Sequence, residues 1–144
     1  MDFRLGFGPM SPEAVKAICT YTYDTKRPLM IIASRNQVDA ESGYVMTTPG
    51  LRQLLDTLPT DYVWMCRDHC GPYFLDAEKD LSLKEAVEAT KKTIAYDIER
   101  GFDLIHIDPW KKYKDNSKGI EHTKLVIEYL FQKNKNKIKY IILI

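Results

Sequence analysis

Two adjacent side chains, Asp68 and His69, are the strongest candidates for chemistry in this sequence. A neutral imidazole is a common ligand for a divalent metal, and a neighbouring carboxylate can serve as acid or base on a metal-bound substrate. The pair stands in the turn-forming stretch Arg67-Asp68-His69-Cys70-Gly71-Pro72, just after the apolar run 62–66. The plainer alternative is a loop aspartate capping the next turn, beside a histidine satisfied by backbone. One histidine does not hold zinc, which usually takes three protein ligands in a catalytic site. Asp108 follows a second apolar run, 102–107, in which His106 alternates with Leu104 and Asp108. His106 reads equally as a ligand and as a hydrogen-bonded core residue. Asn36 and Gln37 follow a third run, 28–34, and their amides suit the hydroxyls of a sugar. Turn chemistry for Asn36, with Gln37 exposed, accounts for them as well.

Weaker candidates share these loops. Arg35 and Arg67 adjoin run ends and could grip a phosphate through paired hydrogen bonds, although lone loop arginines are more often solvated. Cys70 could be a thiolate ligand but reads better as a small buried thiol. His122 falls in the first turn of a helix and reads as a surface residue. The basic run Lys111-Lys112-Tyr113-Lys114 reads as a solvated loop, or more sharply as a phosphate-reaching lid.

The elements that must position these residues alternate regularly. A short apolar segment, 3–8, precedes Ser11-Pro12-Glu13, a helix start with an N-cap, a proline at the first helical position and an early acid. That helix carries Val15, Ile18 and Cys19 inward. The run 28–34 (PLMIIAS) is continuous, as expected of a strand buried on both faces. A polar loop, 35–47, leads to a helix capped by Thr48-Pro49, with Leu51, Leu54, Leu55 and Leu58 on one face; Gly43 in the loop supplies a positive φ. Ser82 and Glu85 form a capping box for a long helix that stops at Gly101. A fourth helix, 120–132, and a fifth strand, 138–144, complete a βαβαβαβαβ order with repeats of roughly 30 residues, which favours a parallel sheet. No G-x-G-x-x-G follows the first strand, so a dinucleotide site has no support. An open doubly wound sheet fits the length, whereas a full (β/α)8 barrel needs about 250 residues. The reading taken here is an α/β chain forming part of a TIM-type (β/α)8 barrel: about four βα units plus a fifth strand. Residues 1–144 are then the N-terminal part of one barrel domain, with 133–144 an aberrant C-terminus. A small five-stranded fold whose last strand pairs normally is the alternative. In either parallel architecture the loops after the strands carry the function and converge on one face.

Composition narrows the classes. The 144 residues carry 21 Lys+Arg against 20 Asp+Glu, a formal charge of +1, which argues against nucleic-acid binding by phosphate neutralisation. No apolar run approaches the ~20 residues of a membrane helix, and the N-terminus lacks the apolar core of a secretion signal, so a cytoplasmic chain is expected. The three cysteines, Cys19, Cys66 and Cys70, fit neither a disulfide framework nor a zinc knuckle.

Three stretches taken in order, PLMIIASRNQVDAESGYVMTTP, RDHCGP and GFDLIHIDPW, resemble the non-catalytic subunit family of class II tagatose-bisphosphate aldolase. The resemblance runs from about residue 5 to 129. It implies a (β/α)8 protein related to metal-dependent aldolases, with family loops similar to Asn36-Gln37-Val38, to Asp68-His69-x-Gly71-Pro72 and to Ile105-His106-x-Asp108. In the catalytic relatives the residue matching Asp68 is the acid/base and the one matching His69 a zinc ligand, with the remaining zinc histidines on later strands. Carried over, Asp68 would move a proton at a substrate hydroxyl, and His69 would hold a metal that polarises a ketose-phosphate carbonyl. The family's fifth strand continues into an acidic, glycine-containing loop, from which 138–144 departs. The expected role is an accessory subunit that supports the activity and stability of a catalytic aldolase in carbohydrate metabolism, with a phosphorylated sugar at the rim. A metal-dependent lyase acting alone on a ketose bisphosphate, and an inactive truncated barrel, are the alternatives.

Overall fold

The computed structural model describes residues 5–109, 116–134 and 140–143. In chain order the elements are β1 (Leu5–Phe7), α1 (Pro12–Thr25), β2 (Leu29–Ser34), β3 (Val38–Asp39), β4 (Met46–Thr47), α2 (Thr48–Leu55), β5 (Val63–Asp68), α3 (Leu83–Glu99), β6 (Leu104–Ile107), α4 (Asn116–Asn134) and β7 (Tyr140–Leu143). A short 3-10 turn, Asp76–Glu78, precedes α3. Five strands make one parallel sheet in the spatial order β1-β2-β5-β6-β7. Each strand lies beside the one before it, and the order never reverses. A doubly wound sheet must reverse at a switch point, whereas a barrel does not. The sheet is therefore an arc of a (β/α) barrel, and the doubly wound alternative falls away.

Local chemistry sets the boundaries. The Ser11 hydroxyl accepts from Ala14 N–H at 3.2 Å, and α1 ends at Lys26 in the left-handed region, φ 57°. The N-cap of α2 is Thr47, whose hydroxyl accepts from Gly50 N–H at 3.1 Å; Thr48, expected as the cap, is the first helical residue. The Ser82–Glu85 capping box is reciprocal, and Gly101 takes φ 77°. The loop 35–47 holds an unforeseen element, the two-residue strands β3 and β4 paired in parallel. It closes around Gly43 (φ 130°), where a Cβ would stand 2.5 Å from the backbone oxygens of Gln37 and Met46. The helix read at 120–132 begins at Asn116, about a turn earlier. The strand read at 138–144 is Tyr140–Leu143, paired residue for residue with β6. Residues 110–115, with the basic run read as a lid, and 135–139 and 144 lie outside the described residues.

The sheet has one buried face. Ile31, Ala33, Met65, Ile105 and Ile107 pack under the helices against Val15, Cys19, Leu51, Ile94, Ile98, Val126 and Leu130. Removing a buried aliphatic from this layer, as in Ile105→Ala, costs about 2–5 kcal/mol. The expectation that β2 is buried on both faces is not met. Its residues alternate buried and half-buried, because helices cover only the outward face. Met30, Ile32, Cys66 and Leu104 line instead an inner concavity of about 160 Å³ that ends at Asp68 and His106. The register stacks this face in rows: Ile32 beside Cys66 beside Leu104, then Ser34 beside Asp68 one row further on. The floor is thus apolar and its C-terminal rim polar.

Candidate functional site

Strand β5 runs two residues beyond its apolar stretch, so Asp68 is its last residue and faces the inner side, while Arg67 faces the helices. The chain then turns sharply at His69, which takes φ 47°, and again at Tyr73, φ 68°. Left-handed non-glycine residues cost of order 1–3 kcal/mol and persist only where the surroundings hold them. Several contacts hold these. Cys70 N–H donates to His106 O at 2.7 Å, and the Arg35 guanidinium donates to Gly71 O at 3.0 Å. Gly71 lies flat on the next loop; a Cβ there would collide with the backbone carbonyl oxygen of Asp108. The loop after β5 is thereby stitched to the end of β6.

This stitching brings two aspartates and two histidines together in crossed pairs. His69 Nδ1 lies 2.7 Å from Asp108 Oδ2, and His106 Nδ1 lies 3.2 Å from Asp68 Oδ1. His69 Nε2 is 3.5 Å from Asp68 Oδ2, and the two imidazole centroids are 5.2 Å apart. The ring of His69 stacks on Phe74 at 5.1 Å with an interplanar angle of 11°. Asp68 and His69 are partly exposed, while His106 and Asp108 are more deeply set. Ligand atoms of Asp68, His69 and His106 fall within 4.8 Å of one another. Two imidazoles and a carboxylate suit a divalent first-row ion such as zinc, so the donor set fits the metal that the sequence resemblance implies.

The other expected residues take more varied places. Asn36 is exposed and donates to Phe74 O at 3.2 Å, which ties it to the residue stacked on His69. Asn36, Asp68, His69 and Asp108 therefore share one rim. The Gln37 amide holds the end of β2: Oε1 accepts from Ser34 N–H at 3.0 Å, and Nε2 reaches Met10 Sδ at 3.2 Å. That engagement makes Gln37 a strand-end clamp beside the rim.

Arg35 and Arg67 do not face a phosphate. They are 1% and 0% exposed and lie behind the rim. Arg35 meets Glu78 at 2.6 Å and Asp39 at 3.1 Å. Arg67 grips Asp97 in a two-point contact at 2.7 and 2.8 Å and donates to the carbonyls of Ala33 and Val38. Burial pushes the Asp97 carboxyl up, against the pull of the Arg67 guanidinium. The sequence carries no hint of this pair: at strand spacing Arg67 stands between Met65 and His69, and at helix spacing Asp97 has Thr93, Ile94, Arg100 and Gly101. Burial also pushes the Cys70 thiol up to about 12, so it is protonated and not a thiolate ligand at neutral pH. His122, expected at the surface, is 2% exposed because it faces the helix layer. Phe74 was not foreseen; an aromatic five residues beyond His69 carries no such signal until the loop is folded. The place of His106 was legible only as the alternation with Leu104 and Asp108.

Comparison with known proteins bears on this site. A family model described as D-tagatose-1,6-bisphosphate aldolase subunit GatZ/KbaZ-like matches residues 9–128. A crystal structure described as a probable tagatose 6 phosphate kinase from Sinorhizobium meliloti 1021 superposes with a TM-score of 0.77 at 19% sequence identity. The match covers 98% of this chain and 38% of that one. At that identity the likeness establishes the barrel-type fold, over well under half the length of the solved protein.

Proposed function

Since the chain belongs to the D-tagatose-1,6-bisphosphate aldolase subunit GatZ/KbaZ-like family, we propose that it acts as an accessory subunit, supporting a separate catalytic aldolase. The observation that carries the reading is a polar rim of Asp68, His69, His106 and Asp108 built at the strand ends of a chain matched by that family over residues 9–128. In parallel α/β folds this edge is where ligands are met. A phosphorylated sugar is the proposed ligand. Asn36 and Asp108 offer an amide and a carboxylate for its hydroxyls, beside the apolar concavity. A zinc ion, when bound, would supply Lewis-acid polarisation of a ketose carbonyl.

The reading includes a cytoplasmic setting, supported by three cysteines that form no disulfide, all buried. Among the described residues no helix is long and apolar enough to cross a membrane. With a formal charge of +1, nucleic acid is not a proposed partner. Mixing the chain with a catalytic subunit of a tagatose-bisphosphate aldolase tests the accessory role. Aldol cleavage or the melting temperature of the mixture should rise above that of the catalytic subunit alone; no change in either overturns the role.

A second reading, lyase activity by the chain itself, is favoured by the proximity of the Asp68 carboxylate to both imidazoles. Cleavage of a ketose bisphosphate by the isolated chain, lost in Asp68→Ala, would establish it. An inert chain that still raises the partner's activity leaves the accessory role standing alone. The third alternative, an inactive remnant, predicts no cooperative melting; a single sharp transition speaks against it.

A further inference from the structure

We propose that residues 74–81 form a strap at the rim, latched by Glu78 on Arg35, and that release of this latch uncovers the ring of His69. The strap leads from the turn after β5 toward α3. Asp76, Ala77, Lys79 and Asp80 are exposed, yet Glu78 among them is 3% exposed, turned inward from its 3-10 turn. Its carboxylate meets Arg35 in a two-point contact: Oε1 accepts from Nη2 at 2.6 Å and Oε2 from Nη1 at 3.2 Å. A two-point charge pair is among the stronger side-chain ties, and when it is buried, removing one partner leaves the other charge enclosed and uncompensated. The same guanidinium donates to Gly71 O at 3.0 Å and to Asp39 Oδ2 at 3.2 Å. Arg35 thus fastens the strap to both the rim turn and β3.

At its near end the strap covers His69. Phe74 stacks on the imidazole at 5.1 Å with an interplanar angle of 11°, and its carbonyl accepts from the Asn36 amide at 3.2 Å. The hinge beside Phe74 is strained. Tyr73 takes φ 68°, although it is only 7% exposed, and its hydroxyl donates across the strap to Leu81 O at 3.4 Å. A left-handed non-glycine residue persists only where its surroundings hold it. The backbone bonds within the strap are short-range: Glu78 N–H donates to Leu75 O, Lys79 N–H to Asp76 O and Leu81 N–H to Glu78 O. Exposed segments with such local bonds open at low cost. With the Glu78 tie lost, Tyr73 is free to relax and carries Phe74 off His69. The closed strap therefore shields one face of the imidazole, and the open strap presents that face to a ligand at the rim. The device stands on this chain's residues and depends neither on the accessory role nor on a metal.

Hydrogen exchange and diethyl pyrocarbonate labelling of the purified chain, both read by peptide mass spectrometry, test it. In Glu78→Gln the amides of residues 74–81 should exchange on the order of tenfold faster, the scale of a lost hydrogen bond to a charged group, while those of α1 keep their wild-type rates. Labelling of His69 should speed up severalfold, and labelling of the buried His122 should not. Phe74→Ala should speed His69 labelling by itself. Adding Glu78→Gln to it should bring little more, because both act through the same ring contact. Leu55→Ala, which weakens the core within α2, should leave His69 at its wild-type rate, and so separates latch release from lost stability. Far-UV circular dichroism establishes that each variant is folded. If Glu78→Gln unfolds, Asn36→Ala removes the tie on the Phe74 carbonyl without touching the buried pair, and must itself speed His69 labelling. A folded Glu78→Gln variant with wild-type exchange across 74–81 overturns the proposal. So does His69 labelling that Glu78→Gln leaves unchanged, or raises by the same factor with and without Phe74. No partner subunit enters these measurements, so either result leaves the accessory reading to its own test.

Discussion

Cys70 illustrates how much of this site is decided by burial at single residues. Its thiol is fully enclosed and pushed up to about 12, and burial also raises Cys19. With all three cysteines buried, the folded chain should show no rapidly alkylated thiol at mildly alkaline pH, and three after denaturation. Fast labelling of the native protein would contradict the described packing. The Arg67–Asp97 pair is more consequential. Both side chains are 0% exposed, so Arg67→Ala leaves a buried carboxylate without its cation. The expected loss is about 3–5 kcal/mol in denaturant unfolding, whereas the double replacement Arg67→Met with Asp97→Leu should recover most of it. Failure of the double variant to recover would mean that the hydrogen bonds from Arg67 to Ala33 and Val38 matter more than the charge pair. Asp68, His69 and Asp108 were legible from residue type and position after apolar runs. The burial of Arg35 and Arg67 was not, because their partners Glu78, Asp39 and Asp97 lie 4–43 residues away and are joined only by the fold.

At the scale of elements, caps and glycines carried the strongest local signals. The Ser82–Glu85 box is present as written in the sequence, and its hydrogen bonds hold the Glu85 carboxyl below the ordinary value of 4.5. A carboxyl depressed in the folded state contributes stability that is complete above its unfolded value and is lost as pH falls through its folded one. Glu85→Gln should therefore lower the melting temperature at neutral pH, and the difference from wild type should vanish in acid. A difference that persists unchanged in acid would contradict the capping role. Strand ends were less legible. The reading of β5 stopped at Cys66 because Arg67 and Asp68 are charged, yet the strand continues, since Arg67 finds Asp97 behind the sheet. The small ladder of β3 and β4 escaped notice because two-residue strands carry no periodicity. Gly71 is the element-level hinge of the site. Gly71→Ala should cost about 1–3 kcal/mol by forcing the two rim loops apart. It should also weaken any ligand that His69 and Asp108 share; a variant with wild-type stability would refute the close contact.

For the whole molecule, the decisive feature is strand order. Alternation of apolar runs and helices indicated a parallel sheet but left winding open. The order β1-β2-β5-β6-β7, with helices on one face, settles it as a barrel arc. The inner face, which a closed barrel would shield, is left half-covered, which explains why β2 alternates in burial although its sequence is continuously apolar. The edge strand β1 shows Leu5 and Phe7 at 69% and 45% exposure, consistent with an arc. The rim, in contrast, is assembled wholly from neighbouring strands and needs no closure to bring its aspartates and histidines together. The central claim is that this rim serves an aldolase as an accessory subunit. Its most direct test is the rate of tagatose-bisphosphate cleavage by a catalytic subunit, measured alone, with the wild-type chain, and with a folded Asp68→Ala/His69→Ala variant. The account predicts a faster rate with the wild-type chain and a clearly smaller gain with the variant. A rate that neither protein alters, or that both raise equally, would contradict it.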